Sequence, residues 1–213
     1  MRAARSMSSF EREARGRGYQ RVAGIDEAGR GPLAGPVIAA AVILPVDYED
    51  PEINDSKKLT PRQRERLYDV IQRDAVAVGI GVVEAPVIDA INILQATLAA
   101  MKEAVLGLAP HPDYLLIDGL YPIAIAIPQQ TIVRGDGQSI SVASASIVAK
   151  VSRDRIMEMY HRQFPQYNFF RNKGYGTREH REAIAKHGRC KIHRSSFRIA
   201  EIDDVLVNAT LGI

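Results

Sequence analysis

The sequence predicts one α/β domain built on a mixed β-sheet. Two observations support this. Short apolar runs bounded by turn residues alternate with longer stretches that carry helix-capping signals. The first two strand-like runs also follow one another directly, whereas the later ones are separated by helices. Early strands that meander and later strands that alternate with helices indicate a sheet with both antiparallel and parallel neighbours.

Five runs have the composition of strands. They are apolar, several are rich in β-branched residues, and turn-forming residues flank them. We expect strands at residues 21–26, 36–44, 75–83, 113–118 and 129–133.

Helices are predicted from capping residues and small-residue spacing. Thr60 followed by Pro61 is typical of a helix start, and this helix extends to about Asp74. Residues 87–108 form two helices or one bent helix. Residues 139–163 begin with small side chains, which let a helix approach a sheet closely, and Pro165 ends them. Two further helices are expected, a short one at 10–15 after Ser8 or Ser9 and one between Thr177 and Gly188.

The chain divides into one domain with two short ends. We interpret residues 1–18 as a basic N-terminal extension and residues 19–198 as the main domain. Residues 199–213 are interpreted as a C-terminal packing helix or tail. No internal repeat is visible in the sequence.

Composition excludes several classes of protein. With 213 residues, 46% hydrophobic and 25% charged, the chain is neither disordered nor collagen-like. Its one cysteine, Cys190, excludes an internal disulfide framework and a multi-cysteine zinc site. The longest apolar run, residues 33–46, is interrupted by glycine and proline and is too short to span a bilayer. We therefore expect a soluble, cytoplasmic protein without membrane contact.

Charge is distributed unevenly along the chain. Residues 150–198 carry 13 basic and 4 acidic side chains, together with four of the five histidines. Such a basic segment favours a polyanionic partner, although charge alone is equally compatible with a solvated helical face. The histidines have no zinc-ligand spacing with Cys190, and we expect them to be surface groups or groups bonded to the backbone.

Four acidic residues stand where chemistry is expected. Asp26 and Glu27 end the first strand, Asp118 ends the fourth, and Asp136 follows the fifth. Ligands in open α/β sheets bind at the carboxyl ends of strands. Two carboxylates about 4 Å apart repel by roughly 4 kcal/mol, and divalent cations would remove that repulsion. Oxygen ligands favour Mg²⁺ or Mn²⁺, which can support phosphodiester cleavage.

Each of these acids alone has an ordinary explanation. An aspartate before glycine usually belongs to a turn, and an Asp–Glu pair usually lies on the solvated surface. Four such placements in one small domain are harder to dismiss, but they do not identify a substrate.

Six segments carry a more specific signal, because they occur together and in order. They include GIDEAGRGPLAGPVIAAAVIL, NDSKKLTPRQRERL, LLIDG, GDGQSISVASASIVAKVSRDR, NKGYGTREH and HRSSF, at residues 24–44, 54–67, 115–119, 135–155, 172–180 and 193–197. Taken together, they strongly resemble type 2 ribonuclease H, the bacterial ribonuclease HII family. This resemblance spans nearly all of residues 20–197.

The resemblance implies a ribonuclease H-like fold, with a five-stranded mixed sheet flanked by helices. It implies that Asp26, Glu27, Asp118 and Asp136 are the catalytic acids and bind Mn²⁺ or Mg²⁺. The implied substrates are RNA–DNA hybrids and duplex DNA containing single ribonucleotides. Cleavage on the 5′ side of the ribonucleotide would leave 3′-hydroxyl and 5′-phosphate ends.

The resemblance also implies how substrate is bound. Gly29, Arg30 and Gly31 match the element that senses the 2′-hydroxyl, and glycines permit close approach of backbone to the sugar. Tyr175 matches the tyrosine that packs on the deoxyribose at the RNA-to-DNA junction. Candidate phosphate contacts are Ser56, Lys57, Lys58, Lys150 and Lys173.

Other functions compete with this reading. Another metal-dependent nuclease or resolvase of the same fold would also gather acids, but would leave the GRG and KGYGT elements unexplained. A non-catalytic hybrid-binding module would not require the acidic quartet. An actin-like ATPase is disfavoured because the chain lacks the length for a second lobe. We expect a monomer.

Overall fold

Five strands form one mixed sheet in the computed structural model, which describes residues 6–200. Along the chain the strands are β1 Val22–Ala28, β2 Val37–Ile43, β3 Ala77–Val83, β4 Tyr114–Asp118 and β5 Gln129–Ile132. Their order across the sheet is β3-β2-β1-β4-β5. The β1–β2 and β2–β3 pairs are antiparallel, while β1–β4 and β4–β5 are parallel. The predicted five-stranded mixed sheet is confirmed.

The helices follow the predicted pattern. They are α1 Ser9–Gly16, α2 Pro61–Asp74, α3 Ala85–Leu106, α4 Ile140–Gln163, α5 Phe169–Asn172 and α6 Arg178–His187. Three short 3-10 turns, at Ser56–Lys58, Gly135–Gly137 and Pro165–Tyr167, and the single turn of α5 were not predicted. These pieces are too short to show an apolar period, so the sequence carried no periodic signal for them.

Helices cover both faces of the sheet. Alternate residues of β2 face opposite sides, as the two-residue period of a strand requires. Val37, Ala39 and Ala41 pack in the core beneath α3, whereas Ala40 and Val42 pack in the core beneath α2 and α4. This central strand is therefore apolar throughout.

Helix α3 bends at one residue. Asn92 has φ 68° and ψ 164°, which are not helical, and its side-chain oxygen accepts hydrogen bonds from the backbone of Leu94 and Gln95. Asn92 thus caps the second part of the helix. The expectation of two helices or one bent helix over residues 87–108 is confirmed.

Helix α1 packs on the sheet. Phe10 and Ala14 join a core cluster with Tyr114 and Leu116 of β4. The buried Glu11 accepts hydrogen bonds from the Ser139 hydroxyl at 2.6 Å and from the backbone of Ser141 at 2.9 Å, at the start of α4. Part of the proposed extension is therefore in contact with the core, while its boundary at residue 18 stays a prediction.

Residues 201–213 of the expected C-terminal packing helix or tail lie outside the described residues. No helix within residues 6–200 combines the length and apolar character needed to cross a membrane.

Gly24 lets α4 lie directly on β1. A Cβ at this position would run into the backbone of Ser141 and Val142 in the first turn of α4. Backbone contact at this distance leaves no room for a methyl group without moving the helix.

We expect Gly24→Ala to lower the free energy of unfolding by about 3 kcal/mol, because α4 must move away from β1. Urea denaturation would measure the loss. Gly16→Ala is the matched control, since a Cβ there meets nothing within 4 Å. Equal stability of the two variants would contradict the close approach.

Candidate active site

Two acidic residues lie side by side because of strand register. In the parallel pairing of β1 with β4, Ile25 lies opposite Ile117. The next residues, Asp26 and Asp118, therefore emerge together where the two strands end. Apolar residues fill the preceding positions of both strands, which fixes the register through the core.

Glu27 completes a cluster of three carboxylates. One oxygen from each of Asp26, Glu27 and Asp118 lies within 4.8 Å of the others. The Asp26 side chain is almost fully buried, and its Oδ1 accepts a hydrogen bond of 2.7 Å from the Glu27 backbone. Three acidic groups are thus held closer than their mutual repulsion favours.

The pKa values of all three carboxyl groups are raised in this environment. Burial, followed by the charges of Glu27 and Asp118, raises the pKa of Asp26 well above its ordinary value. Burial also raises the pKa of Glu27, opposed by Arg30 at 3.5 Å. For Asp118, burial raises the pKa, and the hydrogen bond from the Gly135 backbone opposes that shift. A bound cation would stabilise the ionised form of all three groups.

Asp136 is placed differently from the other three acids. It lies in the Gly135–Gly137 turn, and its Oδ2 is 3.2 Å from the Lys57 ammonium. The same turn contacts the cluster, because the Gly135 backbone donates a 2.6 Å hydrogen bond to Asp118. The structure brings three of the predicted acids into one group and pairs the fourth with Lys57.

The cluster opens into a cleft of about 260 Å³. Most of the substrate-binding candidates also line this cleft, namely Gly29, Arg30, Gly31, Ser56, Lys57, Lys150 and Tyr175. Two lysines do not. Lys58 lines a neighbouring cavity together with Asp136, and the Lys173 ammonium bonds Glu158 at 2.7 Å.

Three further polar residues of the cleft were not predicted to lie there. Arg64 donates to the carbonyl oxygens of Ser56 and Leu59, at 2.9 and 2.6 Å, and so holds the DSKKL turn. Ser146 bonds the Ser56 hydroxyl at 2.9 Å. Arg153 is buried behind the cleft. Long-range contacts place Ser146 and Arg153 there, and sequence spacing does not reveal such contacts.

Two loops meet at the cleft mouth. The Leu33 backbone donates a 2.8 Å hydrogen bond to the carbonyl oxygen of Gly174, which joins the loop after β1 to the loop before α6. A Cβ on Gly31 would lie 3.8 Å from the Tyr175 ring. Tyr175 itself is 46% exposed, so its ring is accessible beside the glycines.

Two of the histidines are bonded to the backbone, as predicted, and they also bond each other, which was not predicted. His180 and His193 are buried, and their Nε2 atoms lie 3.0 Å apart. The second nitrogen of His180 lies 2.9 Å from the Tyr175 carbonyl, and Nδ1 of His193 accepts from the Cys190 backbone at 2.8 Å. One proton arrangement satisfies these three contacts, with Nε2 of His193 donating to His180 and Nδ1 of His180 donating to the Tyr175 carbonyl oxygen. Both rings are then neutral.

The donor set fits a hard divalent cation. The clustered ligand atoms are carboxylate oxygens, and neither Cys190 nor a histidine is among them. Oxygen donors of this kind suit Mg²⁺ or Mn²⁺ rather than a zinc site built on sulfur and nitrogen.

Sequence comparison identifies close similarity to one family. A family model described as Ribonuclease HII matches residues 23–200. Ribonuclease HII of Syntrophus aciditrophicus is 68% identical over 193 residues, covering 91% of this chain and 91% of that protein.

Solved structures agree on the fold. The crystal structure of ribonuclease H2 from Pyrococcus horikoshii OT3 aligns with a TM-score of 0.73 at 24% identity, covering 88% of this chain and 99% of that one. Bst-RNase HIII in complex with Mn²⁺ aligns with a TM-score of 0.69 at 19% identity, covering 90% and 70%. The ribonuclease H-like fold is confirmed.

Asp118→Asn should stabilise the metal-free protein. The raised pKa of Asp118 means that its ionised form opposes folding at neutral pH, and an amide removes that charge. We expect a higher free energy of unfolding in urea denaturation at pH 7 with EDTA. Asp69→Asn is the control. Asp69 is exposed on α2, so its substitution should change the free energy of unfolding little. A loss of stability in Asp118→Asn would contradict the repulsion.

His193 should make stability depend on pH. Burial and the neighbouring His180 lower the pKa of His193 to about 4, below its ordinary value of 6.5. The unfolded chain therefore binds a proton between pH 6.5 and 4 that the folded chain does not, so stability falls as the pH drops through that range.

Comparison with His193→Asn isolates this effect, because the variant lacks the proton site. We expect the wild-type protein to lose up to about 3 kcal/mol more than the variant between pH 6.5 and 4 in urea titrations. His187→Asn, at an exposed position on α6, should follow the wild type. Parallel curves for wild type and His193→Asn would refute the shift.

Proposed function

Because the chain belongs to the ribonuclease HII family, it is a metal-dependent ribonuclease H endonuclease, and we propose that it cuts at ribonucleotides within duplex DNA as well as within RNA–DNA hybrids. Cleavage falls on the 5′ side of the ribonucleotide and leaves 3′-hydroxyl and 5′-phosphate ends. The observation that carries this proposal is the shared cleft, in which the carboxylate cluster, the Gly29–Gly31 loop and Tyr175 lie together.

The acidic residues hold the metal in this proposal. Asp26, Glu27 and Asp118 supply the central ligands, and Asp136 joins them from the adjoining turn. Bound Mg²⁺ or Mn²⁺ ions would activate a water molecule and stabilise the leaving oxygen. The Mn²⁺ complex of Bst-RNase HIII supports manganese as one of the two candidates.

The two loops at the cleft mouth select the substrate. The backbone of Gly29, Arg30 and Gly31 approaches the ribose and bonds its 2′-hydroxyl, the group that distinguishes RNA from DNA. Tyr175 packs on the sugar of the following deoxynucleotide. Their proximity supports this division of work, since the Tyr175 ring lies beside Gly31.

Basic residues around the cleft contact phosphates. Among the basic residues that line the cleft, Lys57 is the most exposed, with 79% of its side chain accessible. Its ammonium lies 3.2 Å from the Asp136 carboxylate. Lys150 also lines the cleft, although its ammonium bonds Asp154 at 2.7 Å. Ser56, Lys58 and Lys173 complete the proposed set. Such contacts orient a duplex without reading its sequence.

We keep three further predictions about the protein. It acts as a monomer, in the cytoplasm, and without membrane contact. None of them is needed for the chemistry of the cleft.

The direct experiment uses one labelled DNA duplex with a single ribonucleotide, next to an all-DNA duplex of the same sequence. With Mg²⁺ or Mn²⁺ we expect a nick immediately 5′ of the ribonucleotide, and none with EDTA or in the control duplex. Asp118→Asn should reduce the rate at least a thousandfold, because a metal ligand becomes neutral. Equal cutting of both duplexes would favour a nuclease without 2′-hydroxyl sensing.

Tyr175→Ala should weaken cleavage at the RNA-to-DNA junction. Loss of a ring that packs on a nucleotide is worth about 1–3 kcal/mol, so kcat/KM should fall roughly tenfold or more. Phe170→Ala is a matched control, because Phe170 is similarly exposed (55%) and does not line the cleft. The ratio of junction to long-hybrid cleavage separates a binding role from a structural one, which would lower both equally.

A further inference from the structure

Arg194 is a completely buried cation whose guanidinium bonds main-chain carbonyl oxygens. Nη2 donates to Gly29 at 2.6 Å and to Gly35 at 2.8 Å, and Nη1 donates to Arg30 at 2.9 Å. Nε also donates to Gly35, at 3.0 Å. Burial, followed by repulsion from Arg153, lowers the pKa of Arg194 to about 9, so the group is still charged at neutral pH.

These contacts fix the orientation of two peptide groups in the Gly29–Gly31 loop. A guanidinium is planar and presents its donors in a fixed fork, so the carbonyls that it binds cannot rotate independently. Gly29 also has φ +98°, a conformation that other residues rarely adopt. With the Gly29 and Arg30 carbonyls directed at Arg194, the loop presents one defined backbone surface to the cleft.

Hydrogen bonds made by the two residues that follow Arg194 in the chain fix its position. Ser195 and Ser196 each donate two hydrogen bonds to the Asp89 carboxylate, at 2.5 to 2.9 Å. Burial alone would raise the pKa of Asp89, but these four bonds outweigh it and lower the value to about 2. The Arg194 backbone also donates to the Leu33 carbonyl at 2.8 Å.

We propose that Arg194 is a positioning residue for ribonucleotide recognition: it holds the Gly29 and Arg30 peptide groups in the orientation that meets the 2′-hydroxyl. This inference rests on the proposed function, in which that loop senses the ribose. Arg194 does not touch the substrate, because it lies beneath the loop. Its removal therefore affects selectivity for ribose more than affinity for duplex DNA.

Arg194→Lys keeps the charge but cannot bond three carbonyl groups with one planar fork. The measurement is the ratio of two dissociation constants, for the all-DNA duplex and for the same duplex with one ribonucleotide, at fixed salt and with EDTA. We expect this selectivity ratio to fall at least fivefold in Arg194→Lys, with little change in affinity for the all-DNA duplex. Cleavage of the ribonucleotide duplex with Mg²⁺ should fall in parallel.

Glu11→Gln is the control for a general loss of stability. Glu11 is also buried, and its carboxylate bonds the Ser139 hydroxyl and the Ser141 backbone, away from the cleft and both of its loops. This variant should lower the free energy of unfolding and leave the selectivity ratio unchanged. An equal loss of selectivity in both variants would overturn the assignment to Arg194, because it would report a general loosening of the core.

If Arg194→Lys fails to fold, the double variant Ser195→Ala, Ser196→Ala decides. It loosens the anchor of Arg194 at an exposed site, and we expect at least a twofold fall in the ratio. An unchanged ratio in whichever variant folds refutes the inference. A wild-type protein that neither prefers nor cuts the ribonucleotide duplex would instead refute the proposed function.

Discussion

Electrostatic repulsion among Asp26, Glu27 and Asp118 is the constraint on which the rest of the molecule depends. The carboxylates are close because β1 and β4 run parallel in one fixed register. That register is held by strands that are apolar on both faces, with α3 on one side and α4 pressed against Gly24 on the other. The packing of the core thus holds the three carboxyl groups close together in the absence of a cation, despite the cost of their mutual repulsion.

The base of the cleft and its opening are built differently. The base is formed by strand ends, whose positions are set by the sheet, and the opening is formed by loops. The loops after β1 and before α6 have little regular structure, and buried polar side chains hold them instead. Arg153 and Arg194 bond loop carbonyls, and the His180–His193 pair holds the Tyr175 carbonyl. Precise loops therefore require buried donors from distant parts of the chain.

The sequence predicted the fold well because its signals were local. The strand ends at Asp26 and Asp118, the cap at Thr60 and the small residues at the start of α4 all act within a few positions of themselves. The acids could be assigned to one sheet edge for the same reason. Asp136 shows the limit of such local signals. The residues next to it in the sequence do not indicate whether its side chain joins the cluster or pairs with Lys57. Likewise, Arg194 and His193 gain their meaning only from contacts more than ten residues away.

His193 and Arg194 are consecutive in the chain, yet each one supports a different loop. His193 acts through His180 on the loop that carries Tyr175, and Arg194 acts on the loop that carries Gly29. A one-residue deletion in this segment would misplace both supports at once. For protein engineering, the two loops are thus not separable modules. Transplanting the proposed ribose selectivity into another nuclease of this fold would require moving residues 193–196 along with the loops.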